Sequence, residues 1–205
     1  MEYNKLATKE SVEKTIKALA ERNVEGILVA TGAEALAKIK ELIPAGASVM
    51  NGASVTLEQI GFVDYLKEGK HGWNNLHQAI VLEQDKAKQS LLRKQALLSD
   101  YYLGSVHGLA ETGEFVIASN TGSQLPHVVF SSKNIIFVVS TKKIVPTLPD
   151  AMQRLLTYVV PLEEVHMQEK YKVGTFPSKI VIWNRENPSI KRKVIMLLVN
   201  EDLGF

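Results

Sequence analysis

Short runs of β-branched and aliphatic residues alternate with helical patterns along almost the whole of this 205-residue chain. Val24 to Ala30 reads as a strand, and Thr31-Gly32 then opens a helical pattern through Ala35, Leu36, Ile39 and Leu42 to Pro44. The unit repeats: Ala47 to Met50 is strand-like, Asn51 to Ser54 a turn, and Val55 to Gly61 a short helix closed by glycine. Such alternation implies a mainly parallel sheet covered by helices on both faces. Asn134 to Ser140, nearly all β-branched or aromatic, is the strongest buried-strand signal and is placed at the sheet centre. Two further strand-like runs, Lys179 to Asn184 and Lys193 to Asn200, flank the polar loop Arg185 to Ser189.

The remaining segments fill in around that plan. Val12, Ile16, Leu19 and Ala20 recur at helical spacing between Thr8 and Arg22, so a helical N-terminal segment over about residues 1–23 precedes the first strand. His71 to Asn75 reads as a loop and Leu76 to Leu98 as one long charged helix. Tyr101 to Val106 and Glu114 to Ser119 read as strands joined around Glu111-Thr112-Gly113, an antiparallel hairpin that interrupts the parallel pattern. Gln124 to Phe130 reads as a short helix with Pro126 in its first turn, Lys142 to Pro146 as a loop, and Leu148-Pro149-Asp150 as a helix start. No repeat or linker divides the chain, and residues 1–205 are expected to form a single α/β domain.

Composition narrows the function classes. With 24 basic and 22 acidic residues the net charge is +2, which provides no field for wrapping nucleic acid or coating an anionic membrane. Cysteine is absent, which removes disulfides, thiolate nucleophiles and any iron–sulfur cluster held by this chain's own thiolates. The start, Met1 to Leu6, is polar where a signal peptide needs an apolar core, and no apolar run reaches about eighteen residues, so no membrane partner and a cytoplasmic location are expected.

Three loops carry the candidate chemistry. Thr31-Gly32, Asn51-Gly52-Ala53-Ser54 and Asn120-Thr121-Gly122-Ser123 set small and hydroxyl residues between a strand end and a helix start, where backbone amides can receive a phosphate or carboxylate. Such turns also serve simply to connect elements; what would distinguish the two is convergence on one sheet edge. None matches a dinucleotide or nucleotide-phosphate signature. Lys142 and Lys143, directly after the central strand, offer point charges for an anion. Glu58 and Glu111 lie near element ends and are candidates for proton transfer. His107 and His127 titrate in the useful range, yet their spacing matches no metal motif, and no metal site is assigned.

Taken together, Asn51 to Gly61, then Leu91 to Asp100, then Asn134 to Pro146 resemble the LUD (lactate utilization domain) family, and the tail Met196 to Phe205 is similar to the C-terminal end of its small stand-alone members. Ser54, Thr56 and Gly61 carry its Ser-x-Thr-x-x-x-x-Gly motif. The resemblance implies the fold shared by CoA transferases, ribose-5-phosphate isomerase and glucosamine-6-phosphate deaminase. It also implies a link to oxidation of lactate to pyruvate beside iron–sulfur partner proteins, a division of labour that the missing cysteines fit. Close stand-alone members typically have Asn-Ala-Ile-Thr-Glu-Asp-Gly where His107 to Gly113 stands, Gly-Asn-Arg at Gly122-Ser123-Gln124, and Asn-Lys-Ile-Val at Lys142 to Val145. Glutamine at 124 removes a bidentate anion clamp.

The expectation is therefore a protein that binds a small anionic metabolite of hydroxy-acid metabolism. Its ligand residues would be Asn51, Gly52, Ser54, Thr56, Asn120, Thr121, Gly122, Ser123, Lys142 and Lys143, with Glu58 or Glu111 handling a proton. No cofactor is specified, and a homo-oligomer stays open. Two other readings stand beside it: an isomerase or acyl-CoA enzyme, which needs a deep pocket holding a carboxylate of raised pKa, and a non-catalytic assembly subunit, which needs an exposed apolar patch.

Overall fold

The computed structural model describes residues 2–205; Met1, the first residue of the polar start, lies outside them. In chain order the elements are α1 (Lys9–Glu21), β1 (Glu25–Val29), α2 (Gly32–Leu42), β2 (Ser48–Asn51), α3 (Val55–Gln59), α4 (Phe62–Glu68) and β3 (Asn74–Asn75). There follow α5 (Leu76–Leu82), α6 (Lys86–Gln95), β4 (Tyr101–Gly104), β5 (Gly108–Ala110), β6 (Phe115–Ser119) and β7 (Asn134–Ser140). The last are β8 (Ile144–Val145), α7 (Leu148–Arg154), α8 (Val160–Tyr171), β9 (Lys179–Trp183) and β10 (Lys193–Val199). None of the helices is long and apolar enough to cross a membrane.

Six strands pair in parallel in the order β1-β10-β7-β4-β2-β3. The two most apolar runs, β7 and β10, lie side by side in the interior, with Ile136 opposite Ile195 and Val138 opposite Leu197. Both faces of these strands are covered, which is why their sequences are nearly unbroken apolar runs. Side chains alternate between faces. Ile136, Val138, Ile195 and Leu197 pack with Ala35 and Ile39 of α2, Leu57 of α3 and Phe62 of α4. Ile135, Phe137, Val139, Val194, Met196 and Leu198 point the other way, toward Val12 and Leu19 of α1 and Phe115, Ile117 and Trp183 of a second sheet.

That second sheet has the order β8-β5-β6-β9, antiparallel except where β5 meets β8. Its own alternation carries the layering one step further: Val116 and Ala118 of β6 pack against Ala151 of α7 and against Leu155 and Val159 in the wide helical turn that links α7 to α8. The architecture is thus α/β, a mainly parallel sheet flanked by helices on one side and by a small mixed sheet on the other.

Several local expectations are corrected. The strand at Tyr101 does not enter the hairpin; it pairs with β2 and β7 in the parallel sheet, and the chain turns after Gly104 so that the short β5 takes the hairpin position against β6. The long helix expected over Leu76 to Leu98 is broken at Glu83 to Asp85, where Glu83 is extended and the Asp85 carboxylate accepts the amides of Ala87 and Lys88, starting a new helix. The Gln89 side chain donates to the carbonyls of Ile80 and Glu83 left at that break. Lys142 to Pro146 is not a simple loop, because Thr141 to Lys143 form a tight helical turn and β8 follows at once. Within His71 to Asn75, the last two residues pair with β2 as a short edge strand.

Candidate functional site

The ends of three parallel strands and of the chain itself converge on one amine. Lys143, only 4% exposed, leaves the turn after β7 and places Nζ 3.2 Å from Thr56 Oγ1, 3.1 Å from Ser105 Oγ and 3.3 Å from the Val106 carbonyl oxygen. Thr56 stands in α3, reached from β2, and Ser105 and Val106 directly follow β4. Gly204, beyond β10, closes over the same point: a Cβ there would overlap Thr56 Oγ1 and lie 2.9 Å from Lys143 Nζ. Carboxyl edges of parallel strands gather ligands because the loops leaving them can diverge and leave a crevice. Here they line a cavity of about 450 Å³, within the range of small-molecule sites, roughly 300–1,000 Å³.

No carboxylate pairs with the Lys143 amine among the described residues. Burial, then the positive charges of Arg154 and Lys142, hold its pKa well below the ordinary lysine value. Arg154 is itself fully buried and has no acidic partner among the described residues: Nη1 donates to the His107 carbonyl, while the guanidinium sits against the rings of Tyr3 and Tyr158. Its Nε and Nη2 have no hydrogen-bond partner. The buried guanidinium thus places a positive charge behind the Lys143 wall of the cavity, outside its lining.

Burial favours the neutral ring in two of the histidines that line the same space. His107 Nδ1 accepts the Ala118 amide at 3.1 Å, which puts its proton on Nε2 and leaves that N–H as the donor remaining for other partners. Burial, Lys143 and Arg154 push its pKa down to about 3. His127 stacks on Tyr102 with ring centroids 4.9 Å apart, its Nδ1 lies 3.0 Å from Ser132 Oγ and 3.3 Å from Ser99 Oγ, and burial lowers its pKa to about 4. The unfolded chain, with histidine near 6.5, takes up a proton that the folded chain refuses, so stability is expected to fall as pH drops from 6.5 toward 4 and to be insensitive to His127 above that window. Between pH 7 and pH 5, the urea-unfolding free energy should lose up to about 1.4 kcal/mol per pH unit for each such ring. His127→Asn should remove its share of that loss and leave the share of His107; an unchanged slope would contradict a buried neutral ring at 127.

A third group is acidic. Glu58 lines the cavity and pairs with Lys170 of α8 at 2.8 Å. Two turns earlier on α8, Glu163 also lines it, and burial, reinforced by Glu58, raises its pKa against the opposing pull of His166 and Lys170. Phe205 packs edge-on against His166, bringing the chain end to the same wall.

Most of the residues singled out in the sequence meet here. Asn51, Gly52, Ser54, Thr56, Asn120, Thr121, Ser123 and Lys143 line the cavity, and Gly122 sits in the same loop, its amide held by Ser119 Oγ at 2.9 Å. Asn51 is buried with Oδ1 unpartnered, an acceptor awaiting a donor. Ser54 caps its own helix through Leu57 N–H at 3.3 Å, and with only five residues in α3 the helix dipole is a minor source of attraction beside Lys143. Gln124 is satisfied locally by Ser119 and Ala118.

Others lie apart. Glu111 is held on α1 by Ser11 and Lys14, each at 2.7 Å, and those hydrogen bonds lower its pKa. Lys142 turns away from the cavity to Asp202 and to the Gly204 carbonyl. Thr31 caps α2, and the Gly32 amide is already taken by Glu201 at 2.7 Å, over a separate shallow hollow. Ser105, Glu163, Arg154 and Gly204 were not singled out in the sequence. Only Ser105 leaves a signal, a hydroxyl residue just past a strand end, hidden by reading that strand through to Val106.

Gly204 has φ +65°, the left-handed region. Gly204→Ala is expected to destabilise by about 1–3 kcal/mol and to displace Thr56 and Lys143, lowering ligand affinity as well; denaturant unfolding and a binding isotherm on the same variant check both.

No curated protein matches the chain. Among solved structures, it is similar to the crystal structure of a DUF162 family protein from Deinococcus radiodurans, with a TM-score of 0.53 and 12% identity over 95% of this chain and 98% of that one, a likeness of fold. The LUD domain model matches residues 12–187, a span that takes in Thr56, Ser105, His107 and Lys143 around the cavity. Most of the sequence and the three residues that contact the buried amine thus fall within that match, and the chain belongs to the LUD domain family.

Proposed function

We propose that this chain binds a small carboxylic acid of hydroxy-acid metabolism in the cavity at the carboxyl edge of the parallel sheet, in keeping with the lactate-utilization-related role of its family. The observation that carries the reading is the buried Lys143 amine, with Arg154 behind it and no carboxylate partner, facing a cavity of about 450 Å³. A buried positive region without a counter-charge is stabilised by an anion. The His107 Nε2–H can donate to the acid, and the orphaned Asn51 Oδ1 can accept a 2-hydroxyl hydrogen. Because the chain has no cysteine, electrons released on oxidation of a hydroxy acid would pass to a partner, and iron–sulfur proteins are the partners of the right chemistry.

A thermal-shift screen against lactate, pyruvate, related hydroxy acids, sugar phosphates and CoA esters tests this. An acid that binds the native state at a hundredfold its Kd adds about 2.7 kcal/mol of stability, a readily visible rise in midpoint. Absence of a shift with every acid would overturn the reading. Glu163 favours a second one: a carboxyl of raised pKa on the cavity wall is the group an isomerase of this fold would use to move a proton. Sugar phosphates shifting the midpoint where lactate and pyruvate do not would support it.

A further inference from the structure

The three contacts at Lys143 Nζ can all accept, so they serve an ammonium ion and an amine alike, but among the described residues no carboxylate balances a charge at this buried, cavity-lining position. An ammonium has three donors and no lone pair, and in a buried site it calls for a counter-charge. A neutral amine has two donors and one lone pair. The Val106 carbonyl at 3.3 Å can only accept, whereas the hydroxyls of Thr56 at 3.2 Å and Ser105 at 3.1 Å can each accept or donate. Two N–H groups directed to Val106 and one hydroxyl, with the other hydroxyl donating to the lone pair, complete every bond without a charge. Burial and the nearby Arg154 and Lys142 act in the same direction. When Lys143 is neutral, the buried guanidinium of Arg154 still sets a positive charge close behind it.

A nucleophilic amine in a cavity that attracts anions is suited to a molecule bearing both a carboxylate and an electrophilic carbonyl. We propose that Lys143 condenses with the keto group of a small 2-oxo acid, holding it as an imine at Nζ. The proposal rests on the small-acid reading above and names the class of acid and the manner in which it is held. The lone pair of Nζ attacks the keto carbon, forming a C–N bond while the keto oxygen takes a proton to give a carbinolamine. That hydroxyl then leaves as water as the second N–H proton is lost and C=N forms. One amine and one ketone give one imine and one water, with no oxidant or reductant. Thr56 and Ser105, whose hydroxyl oxygens lie 3.5 Å apart beside Nζ, are placed to pass the protons.

Pyruvate and sodium borohydride, added together to the full chain, test this. Hydride reduces the imine to a stable secondary amine, so the peptide holding Lys143 should become heavier by the acid less one oxygen atom. It should label ahead of the surface lysines, whose exposed amines stay protonated. Lys143→Arg should abolish the label, and peptide mapping of the unaltered chain gives the answer even if that variant folds poorly. Calorimetric titration with pyruvate, without reductant, runs in parallel. Pyruvate that binds but leaves Lys143 unlabelled, or labels it no faster than the surface lysines, overturns the imine and spares the small-acid site. Neither binding nor labelling removes both.

Discussion

Phe137→Ala is expected to lower the free energy of unfolding by about 3–5 kcal/mol, the largest effect of any single truncation considered for this chain. Phe137 sits in the middle of β7 and is fully buried. It is the point at which the parallel sheet grips the second sheet: its ring packs edge-on against Phe115 of β6 at 5.4 Å and against Trp183 of β9 at 6.4 Å, and those two rings stack on each other at 5.3 Å. Removing the ring leaves a cavity among side chains fixed on three strands of two sheets, which cannot collapse together to fill it. The aromatic pairings add about 0.5–1.5 kcal/mol each beyond the area buried. Against a typical domain stability of about 5–15 kcal/mol the loss is severe. Urea unfolding measures it, with Phe137→Leu as the milder comparison. A loss under about 1 kcal/mol would mean that the two sheets do not share this core.

Lys143→Met should separate stability from binding. Met keeps most of the volume of the lysine stem while discarding the buried amine. Replacing a buried strongly polar group by an apolar one of similar volume is often neutral or stabilising. The hydroxyls of Thr56 and Ser105 can turn to each other, which limits the loss to the Val106 carbonyl. Ligand affinity should move the other way. A hydrogen bond to a charged group contributes about 1.5–3 kcal/mol, and its loss weakens binding of a carboxylic acid by a factor of roughly 10–150. A variant that is less stable and binds equally well would show Lys143 to be a structural residue.

The elements most legible in the sequence are those whose burial is two-sided or strictly periodic. β7 and β10 stand out because helices cover one face and α1 with the second sheet covers the other, so nearly every position is apolar. α1 and α2 show their buried stripe at Val12 and Leu19 and at Ala35 and Ile39. The loops Asn51 to Ser54 and Asn120 to Ser123 were legible as small residues past strand ends, and both reach the cavity. Pairings between distant residues were not legible. Nothing local tells which of two adjacent lysines turns inward; Asp202 captures Lys142, and Thr56 and Ser105 receive Lys143. Glu111 carries no mark of its contact with α1, nearly a hundred residues earlier in the chain. Glu163 lies inside a helix whose apolar stripe is weak, and Gly204 meets Thr56 only because β10 delivers the chain end to the same sheet edge. The hairpin shows itself by its turn at Glu111 to Gly113, while its first strand does not, because three-residue β5 is too short to show a period.

Calorimetric titration of lactate and pyruvate into the unaltered chain and into Lys143→Met tests the anion-binding cavity most directly. The expected result is saturable binding of at least one of the two acids to the unaltered chain and a loss of roughly 10–150-fold in the folded variant. Equal affinity in both proteins, or binding to neither, would contradict a site built around this amine.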